Sequence, residues 1–235
     1  MAKKPSIHIE YREKSYDSEH WALLASLREK AAYLMEVLEK ANLESVVHGS
    51  IARGDVSTKS DIDVFLQTPA SSFSVETTLE KRGIDIERRL IVQATPTYAM
   101  KAHIEITERV SVTFPLMKMR KVEREFYCFG GNVTLQDIRK GLRAPGVDKR
   151  LMLIEPTREG HRESTVIGRE TQAARILAVS VDTVMDRVHA LTRRDRVGRT
   201  GVFVEEELRD NETFEMALAR LADKNPAVRR RARTV

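Results

Sequence analysis

The chain has 235 residues, of which 41% are hydrophobic and 32% charged, and this length suffices for one large domain or two modest ones, each with a buried core. The formal net charge of +5 and the pI near 9.3 favour polyanionic partners without identifying one, because a merely solvated basic surface has the same composition. The single cysteine, Cys128, excludes an intramolecular disulfide, and no apolar stretch approaches the roughly 20 residues that span a bilayer, so no membrane contact is expected.

The amino-terminal half alternates helix and strand patterns. Met1 to Glu10 lack the apolar core of a secretory signal, so a cytoplasmic protein is expected. Apolar side chains at three- and four-residue steps predict a long helix over 18–41, and a second helix is predicted over 74–82. Short apolar runs predict strands over 43–48, 62–66, 84–94 and 103–115, the last interrupted near Thr107 to Arg109. This order predicts an α+β domain with a mixed sheet over residues 1–119.

The pattern changes after about Met119, which predicts a smaller, helix-rich second domain over residues 120–235. The aromatic, glycine-rich segment 126–132 is typical of core residues followed by a turn, with a base-stacking or hinge element as the alternative. A short helix is predicted over 133–142 and a hairpin over 150–167, turning at Glu159-Gly160 and carrying a possible polar cluster at His161 and Glu163. We expect Cys128 to be buried or half-buried.

The tail from Lys224 to Val235 contains lysine and arginine and no acid. Such a block usually forms a disordered, solvated end, and contact with nucleic acid is the less common alternative.

The most informative segment begins at Gly49-Ser50 and ends at Asp63. A Gly-Ser pair at a strand end exposes backbone N–H groups that can bind phosphate oxygens, and the serine hydroxyl adds a hydrogen bond. Asp61 and Asp63 are two residues apart on a predicted strand, so both carboxylates project from one face. Two hard oxygen ligands side by side suit Mg²⁺. An isolated Asp-x-Asp would more often be a solvated strand end, but the upstream Gly-Ser and the apolar Ile62 and Val64 favour a site.

This segment resembles the signature of the DNA polymerase β nucleotidyltransferase superfamily: Gly-Ser, about ten residues, then Asp-x-Asp. Residues 48–65 are especially similar to archaeal CCA-adding enzymes and small archaeal nucleotidyltransferases, and the resemblance extends over roughly residues 20–118. It implies that Gly49 and Ser50 bind the triphosphate and that Asp61 and Asp63 are catalytic metal ligands. Arg53 and Lys59 would be additional phosphate contacts, the alternative being ordinary loop charges.

Active members of this superfamily usually supply a third carboxylate from a later strand. Glu105 is the best candidate for this catalytic and metal-binding position, because it alternates correctly for one polar face of the predicted strand. The position could instead fall on the strand from Val110 to Phe114, which offers only Ser111 and Thr113. Asp85 and Glu125 are weaker substitutes, and a solvated role for Glu105 is equally open.

Residues 170–194 resemble a helix-turn-helix, with Ala178 where a turn glycine is common and Ser180 as the N-cap of the second helix. Val181, Val184, Val188 and Leu191 are predicted to pack inward. Asp182 and Asp186 would then lie on the exposed face with His189 and Arg193. Acids there repel phosphate, which favours a structural or partner-binding module over sequence-specific DNA recognition.

The pattern thus predicts nucleotidyl transfer from an NTP, with ATP as the expected nucleotide and Mg²⁺ or Mn²⁺ as the cofactor, to an undetermined RNA, protein or small-molecule acceptor. RNA or DNA would contact the basic carboxy-terminal region. The alternative is a nucleic-acid-binding regulator whose nucleotidyltransferase fold senses nucleotide or is inactive. The sequence leaves the oligomeric state open.

Overall fold

A computed structural model describes residues 11–198 and 201–233. Met1 to Glu10, on which the expectation about a secretory signal rests, lie outside the described residues. The helices are α1 (Ser18–Glu39), α2 (Ser50–Arg53), α3 (Ser72–Glu80), α4 (Lys121–Gly130), α5 (Leu135–Arg139), α6 (Glu170–Leu177), α7 (Val181–Val197), α8 (Phe214–Lys224) and α9 (Pro226–Arg233). The strands are β1 (Arg12–Ser15), β2 (Ser45–His48), β3 (Ile62–Leu66), β4 (Arg88–Gln93), β5 (Lys101–Thr107), β6 (Val110–Pro115), β7 (Asn132–Thr134), β8 (Gly146–Val147), β9 (Met152–Thr157), β10 (Gly160–Thr165) and β11 (Val204–Glu207).

The chain divides into two compact units, each assembled from three segments. The first unit comprises residues 1–32, 47–60 and 124–200, and the second comprises residues 33–46, 61–123 and 201–235. The division between residues 119 and 120 stays a prediction about autonomous folding domains.

The first unit contains an antiparallel sheet in the order β1-β10-β9-β8. Phe129 of α4 and Leu153 of β9 pack with the buried faces of α6 and α7, which contribute Leu177, Val184 and Val188. This packing explains why α7 forms as a helix although its sequence is strongly charged: burial of one apolar stripe outweighs weak intrinsic propensity.

The second unit contains strands in the order β11-β4-β5-β6-β3. The β4–β5, β5–β6 and β11–β4 pairs are antiparallel, whereas β3 and β6 are parallel, so the predicted α+β fold with a mixed sheet is confirmed. The core includes fully buried Phe65, Ile104 and Phe114. Phe214 at the start of α8 packs edge-on against Phe114, with ring centroids 5.8 Å apart.

Elements with clear periodicity are confirmed. The long helix predicted over 18–41 spans Ser18–Glu39, and the strand predicted over 62–66 spans Ile62–Leu66. The predicted hairpin is β9 and β10, with Thr157 opposite Gly160, so its two-residue turn is Arg158-Glu159 rather than Glu159-Gly160.

Two further local predictions are wrong, one in part and one in full. The helix predicted to begin at Val133 begins at Leu135, because Thr134 is its N-cap and forms a reciprocal capping box with Asp137. Cys128 is exposed rather than buried, since α4 buries its neighbours Tyr127 and Phe129 instead.

The basic tail is the largest correction. Instead of a disordered end, residues up to Arg233 form the end of α8 and all of α9; Thr234 and Val235 lie outside the described residues. Val228 is fully buried and Arg231 is 8% exposed. A single apolar anchor and a buried arginine therefore order a segment whose charge alone predicts disorder.

The helices α6 and α7 follow one another at the predicted positions, and their assignment as a helix-turn-helix stays a prediction. Ala178 adopts the left-handed conformation (φ 52°, ψ 40°) between the helices, and the Ser180 hydroxyl caps α7 by accepting from the Thr183 N–H. Val184 and Val188 are buried as predicted, but Val181, the first residue of α7, is 40% exposed. Whether this helix pair binds nucleic acid stays a prediction.

None of the helices in the described ranges is both long and apolar enough to cross a bilayer.

Candidate functional site

The Gly49-Ser50 pair lies between β2 and α2, in the first unit. Gly49 has φ 80° and ψ −143°, a backbone conformation that only glycine adopts without strain. Its N–H donates to the Gly131 carbonyl oxygen at 2.9 Å. The half-buried Ser50 donates its hydroxyl to the Ser60 hydroxyl at 3.1 Å. The loop from residue 49 to residue 60 is therefore closed by a contact between its own two ends.

Arg53 is buried beneath this loop rather than exposed on it. Its Nε and Nη2 donate to the two carboxylate oxygens of Asp55 at 3.0 and 3.1 Å, and its Nη1 donates to the Gly130 carbonyl oxygen at 2.6 Å. The paired geometry gives a strong, oriented ion pair. A phosphate would have to share this guanidinium with Asp55, so the phosphate contact of Arg53 stays a prediction. The Lys59 side chain is exposed, and its phosphate contact also stays a prediction.

Sequence reasoning missed Arg28, which supports the same loop from α1. It donates to the carbonyl oxygens of Ile51 and Ala52, both at 3.1 Å, and to that of Leu142 at 2.7 Å. Burial, followed by the like charge of Arg143, lowers the pKa of Arg28 to about 10. In the sequence, Arg28 is one of several charges along a helix and carries no signal of this role.

The Asp61 and Asp63 carboxylates lie at the start of β3, in the second unit. Asp61 is exposed and Asp63 half-buried, whereas the intervening Ile62 is buried on the opposite face. The Ile62 N–H donates to the Arg109 carbonyl oxygen at 2.8 Å, which fixes the start of the strand against the β5–β6 turn. The Ser111 hydroxyl donates to Asp63 Oδ1 at 2.7 Å. Asp63 is thus held in one orientation by a short hydrogen bond.

Register places Glu105 on the same face of the sheet as Asp63. Ser111 of β6 is opposite Asp63 on one side and opposite Glu105 on the other. Two strand spacings separate the Asp63 and Glu105 backbones, about 10 Å. The Glu105 carboxylate pairs with Arg88 at 3.2 Å and lies 3.8 Å from His103 Nε2.

These side chains border one pocket of about 190 Å³, called here the carboxylate pocket and lined by Asp61, Asp63, His103, Glu105, Thr107, Glu108, Arg109, Val110 and Ser111. In the part of the chain that the structure describes, no three His, Cys, Asp or Glu side chains are arranged to hold a metal ion by themselves. Mg²⁺, however, is usually bound by one or two carboxylates together with water and substrate phosphates. Asp61, Asp63 and the Ser111 hydroxyl fit an ion bound in that way, and not a complete protein cage.

Comparison with known proteins identifies the region that carries both motifs. A family model described as a nucleotidyltransferase domain matches residues 31–130, which include Gly49-Ser50, Asp61-x-Asp63 and Ser111. The match covers 100 of the 235 residues, and this part of the chain is similar to nucleotidyltransferase domains. The predicted superfamily is confirmed, and the domain includes parts of both units.

One solved structure, described as "The complex structure of CCA-adding enzyme with ATP", is similar to the chain. It has 14% sequence identity and a TM-score of 0.33, and the match covers 95% of this chain and 51% of that one. The chain therefore spans about half the length of that protein. No curated protein matches this chain.

The predicted site residues of the nucleotidyltransferase domain lie in two groups. Asp61, Asp63 and Glu105 border the carboxylate pocket of the second unit. Gly49, Ser50, Arg53 and Lys59 belong to the loop of the first unit, at residues 49–60. His103, which sequence reasoning missed, borders the carboxylate pocket and contacts Thr113 Oγ1 through Nδ1 at 2.7 Å. Its alternation with Glu105 on β5 was the available signal.

The polar cluster predicted at His161 and Glu163 is present in the first unit. The Tyr16 hydroxyl and His161 Nδ1 are 2.5 Å apart. Burial lowers the pKa of His161, which therefore favours the neutral form. Glu163 is fully buried, and hydrogen bonds from Arg150 at 2.8 Å and Lys14 at 3.2 Å outweigh this burial, so its pKa is lowered. The cluster joins β1 to β10.

Proposed function

We propose that the protein transfers a nucleoside monophosphate from an NTP to a hydroxyl-bearing acceptor, releasing pyrophosphate. The observation that carries this proposal is the Asp61-x-Asp63 pair at the start of β3 within a nucleotidyltransferase domain, with Asp63 oriented by Ser111. In the reaction, an acceptor oxygen bonds to the α-phosphorus, the bond from that phosphorus to the pyrophosphate oxygen breaks, and the acceptor hydroxyl loses its proton.

Each group has a proposed role. Gly49 and Ser50 bind the triphosphate through the Ser50 hydroxyl and neighbouring N–H groups, with Lys59 and Arg53 as secondary cationic contacts. Asp61 and Asp63 hold Mg²⁺ or Mn²⁺, which when bound neutralises phosphate charge and lowers the barrier to displacement. Glu105 is the proposed base and third carboxylate. ATP is the expected nucleotide.

A second function is favoured by one specific observation. The residue beside Asp63 on the neighbouring strand is Ser111, not a carboxylate. Glu105, on the next strand, pairs with Arg88. An arrangement of this kind can bind a nucleotide with its metal ion and still turn over slowly or not at all. The alternative function is therefore a nucleotide-sensing or inactive nucleotidyltransferase domain in a nucleic-acid-binding regulator.

Labelling experiments test the proposal. The chain is incubated with Mg²⁺, each α-³²P-labelled NTP in turn, and total cellular RNA, protein or small-molecule extract. We expect one acceptor fraction to become labelled by the native chain and not by the Asp61→Asn, Asp63→Asn double variant. Asp210→Asn is the matched control, since Asp210 is exposed and does not border the carboxylate pocket.

A gain-of-function variant separates the two functions. Ser111→Asp places a third carboxylate beside Asp63. If the native chain binds NTP, shown by an NTP- and metal-dependent rise in melting temperature, but labels nothing while Ser111→Asp labels an acceptor, the inactive alternative is supported. If the double variant retains the same rise in melting temperature as the native chain, Asp61 and Asp63 are not the metal ligands and the proposal fails.

A further inference from the structure

The second unit contains a basic pocket that shares no lining residue with the carboxylate pocket. It has a volume of about 490 Å³ and lies between α9 and the loops at residues 96–97 and 118–120. Pro96, Met119 and Ala227 supply apolar surface, while the cations are Lys118, Arg120, Arg230 and Arg231. None of the lining residues is acidic. A volume of about 490 Å³ lies within the range of small-ligand sites.

Arg231 holds the walls of the basic pocket together. It is 8% exposed and donates to the carbonyl oxygens of Thr97 at 3.2 Å and Lys118 at 2.6 Å. These two bonds join α9 to both loops that line the pocket. The cavity is therefore formed before any ligand binds, which lowers the entropic cost of binding.

The Glu123 carboxylate pairs with two of these cations, since it also accepts from Arg120 Nε at 3.3 Å and lies close to Arg231. Glu123 is fully buried and accepts from the backbone N–H groups of Ala99 at 2.6 Å and Arg120 at 3.0 Å, and it lies 3.6 Å from Arg231 Nη2. The Arg120 guanidinium lies over the Tyr98 ring, 4.8 Å from its centroid, which fixes its direction.

The cations Lys118, Arg120 and Arg230 are all exposed. Within the described ranges, the Lys118 amine forms no ion pair. An anion entering the pocket thus meets exposed positive charge beside an apolar surface that includes the buried Met119.

We propose that the basic pocket binds a nucleoside phosphate, either as a free nucleotide or as the terminal nucleotide of a strand. The phosphate lies against Lys118, Arg120 and Arg230, because charge-assisted hydrogen bonds to phosphate are the strongest contacts these side chains make. The base and sugar lie on Pro96 and Met119, which cover the apolar part of the cavity. A simple anion would leave that apolar part empty. This inference does not depend on the proposed transfer reaction.

Calorimetric titration with AMP tests the proposal in the Asp61→Asn, Asp63→Asn background without divalent metal, so that the carboxylate pocket is disabled. AMP is expected to bind at least about tenfold more tightly than adenosine or inorganic phosphate. Arg230→Glu and Lys118→Glu should each weaken AMP binding by about tenfold or more, the usual effect of losing a charged hydrogen bond. Arg233→Glu is the matched control, because it makes the same charge change on α9 without lining the pocket.

The two sources are distinguished with an octanucleotide that carries or lacks a 5′-phosphate. Binding of AMP identifies a free nucleotide, whereas binding of the phosphorylated octanucleotide alone, with the same loss in Arg230→Glu and Lys118→Glu, identifies a strand end. The inference is overturned if neither ligand binds, or if Arg233→Glu weakens binding as much as Arg230→Glu does. It is also overturned if adenosine binds as tightly as AMP. Melting curves verify that the variants fold. If Arg230→Glu does not fold, Lys118→Glu provides the test, because Lys118 is exposed.

Discussion

Replacing Ser111 with alanine removes the hydroxyl that orients Asp63. The lost hydrogen bond is 2.7 Å long and ends on a carboxylate, a class worth about 1.5 to 3 kcal/mol when its acceptor has no other partner. Because Asp63 is half-buried and water can replace the hydroxyl, the free energy of unfolding should fall by less than about 1 kcal/mol. The larger effect is expected on metal binding.

Removing a group that orients a metal ligand typically weakens the metal site about 10- to 100-fold. That loss corresponds to about 1.4 to 2.8 kcal/mol, close to the value of the hydrogen bond itself. The assay is a titration with Mn²⁺ in the presence of NTP, in which free Mn²⁺ is followed by electron paramagnetic resonance. Ser111→Ala should shift the titration, and Asp63→Asn should shift it further. If Ser111→Ala binds Mn²⁺ as tightly as the native chain while Asp63→Asn does not, the orienting role of Ser111 is refuted.

Three further predictions address the loop, the buried histidine and the basic region. Gly49→Ala should lower the free energy of unfolding by up to about 3 kcal/mol, because φ 80° and ψ −143° suit glycine alone. Gly83→Ala, at φ 67° and equally uncrowded, should cost less, about 1 kcal/mol. Urea denaturation measures both losses, and equal losses would contradict the special conformation of Gly49. Burial lowers the pKa of His161 below 6.5, so the unfolded chain binds more protons than the folded chain. The free energy of unfolding should therefore fall as the pH drops from 6.5 through the folded pKa. In urea titrations between about pH 7.5 and 5, His161→Gln should show a flatter pH dependence of this free energy, and an unchanged pH dependence would exclude His161 as its cause. Binding of duplex DNA or RNA should be weak, indifferent to sequence and steeply salt-dependent. In fluorescence anisotropy, the Arg194→Glu, Arg196→Glu double variant should bind every sequence more weakly and show a smaller dependence of affinity on salt. A sequence-selective site with nanomolar affinity would contradict this prediction.

The sequence predicts those elements that are specified by their own local pattern of apolar and capping residues. Helix α1 and strand β3 are such elements, and so is the serine cap of α7, because each is specified by neighbours within a few residues. The alternation of Asp61, Ile62 and Asp63 likewise predicts that both carboxylates border one pocket.

Elements that depend on distant partners could not be predicted. Strand β1 contains no hydrophobic residue and exists through its pairing with β10. Helix α9 has Val228 as its one large apolar residue and is held by Arg231, whose partners lie more than a hundred residues earlier. The burial of Arg53 beneath Gly130 is equally non-local.

The interleaved assembly of the two units has a consequence for the order in which the chain can fold on the ribosome. The segments alternate between the units along the chain, so the first unit is complete only after α7 has been made and the second only after α9 has been made. Until β11 emerges, β4 has an unpaired edge with free backbone hydrogen-bonding groups. Phe114 also lacks its contact with Phe214 until α8 emerges. A chain whose synthesis ends before residue 201 therefore has an open sheet edge and an exposed aromatic core. Such a chain is a substrate for chaperones or proteolysis.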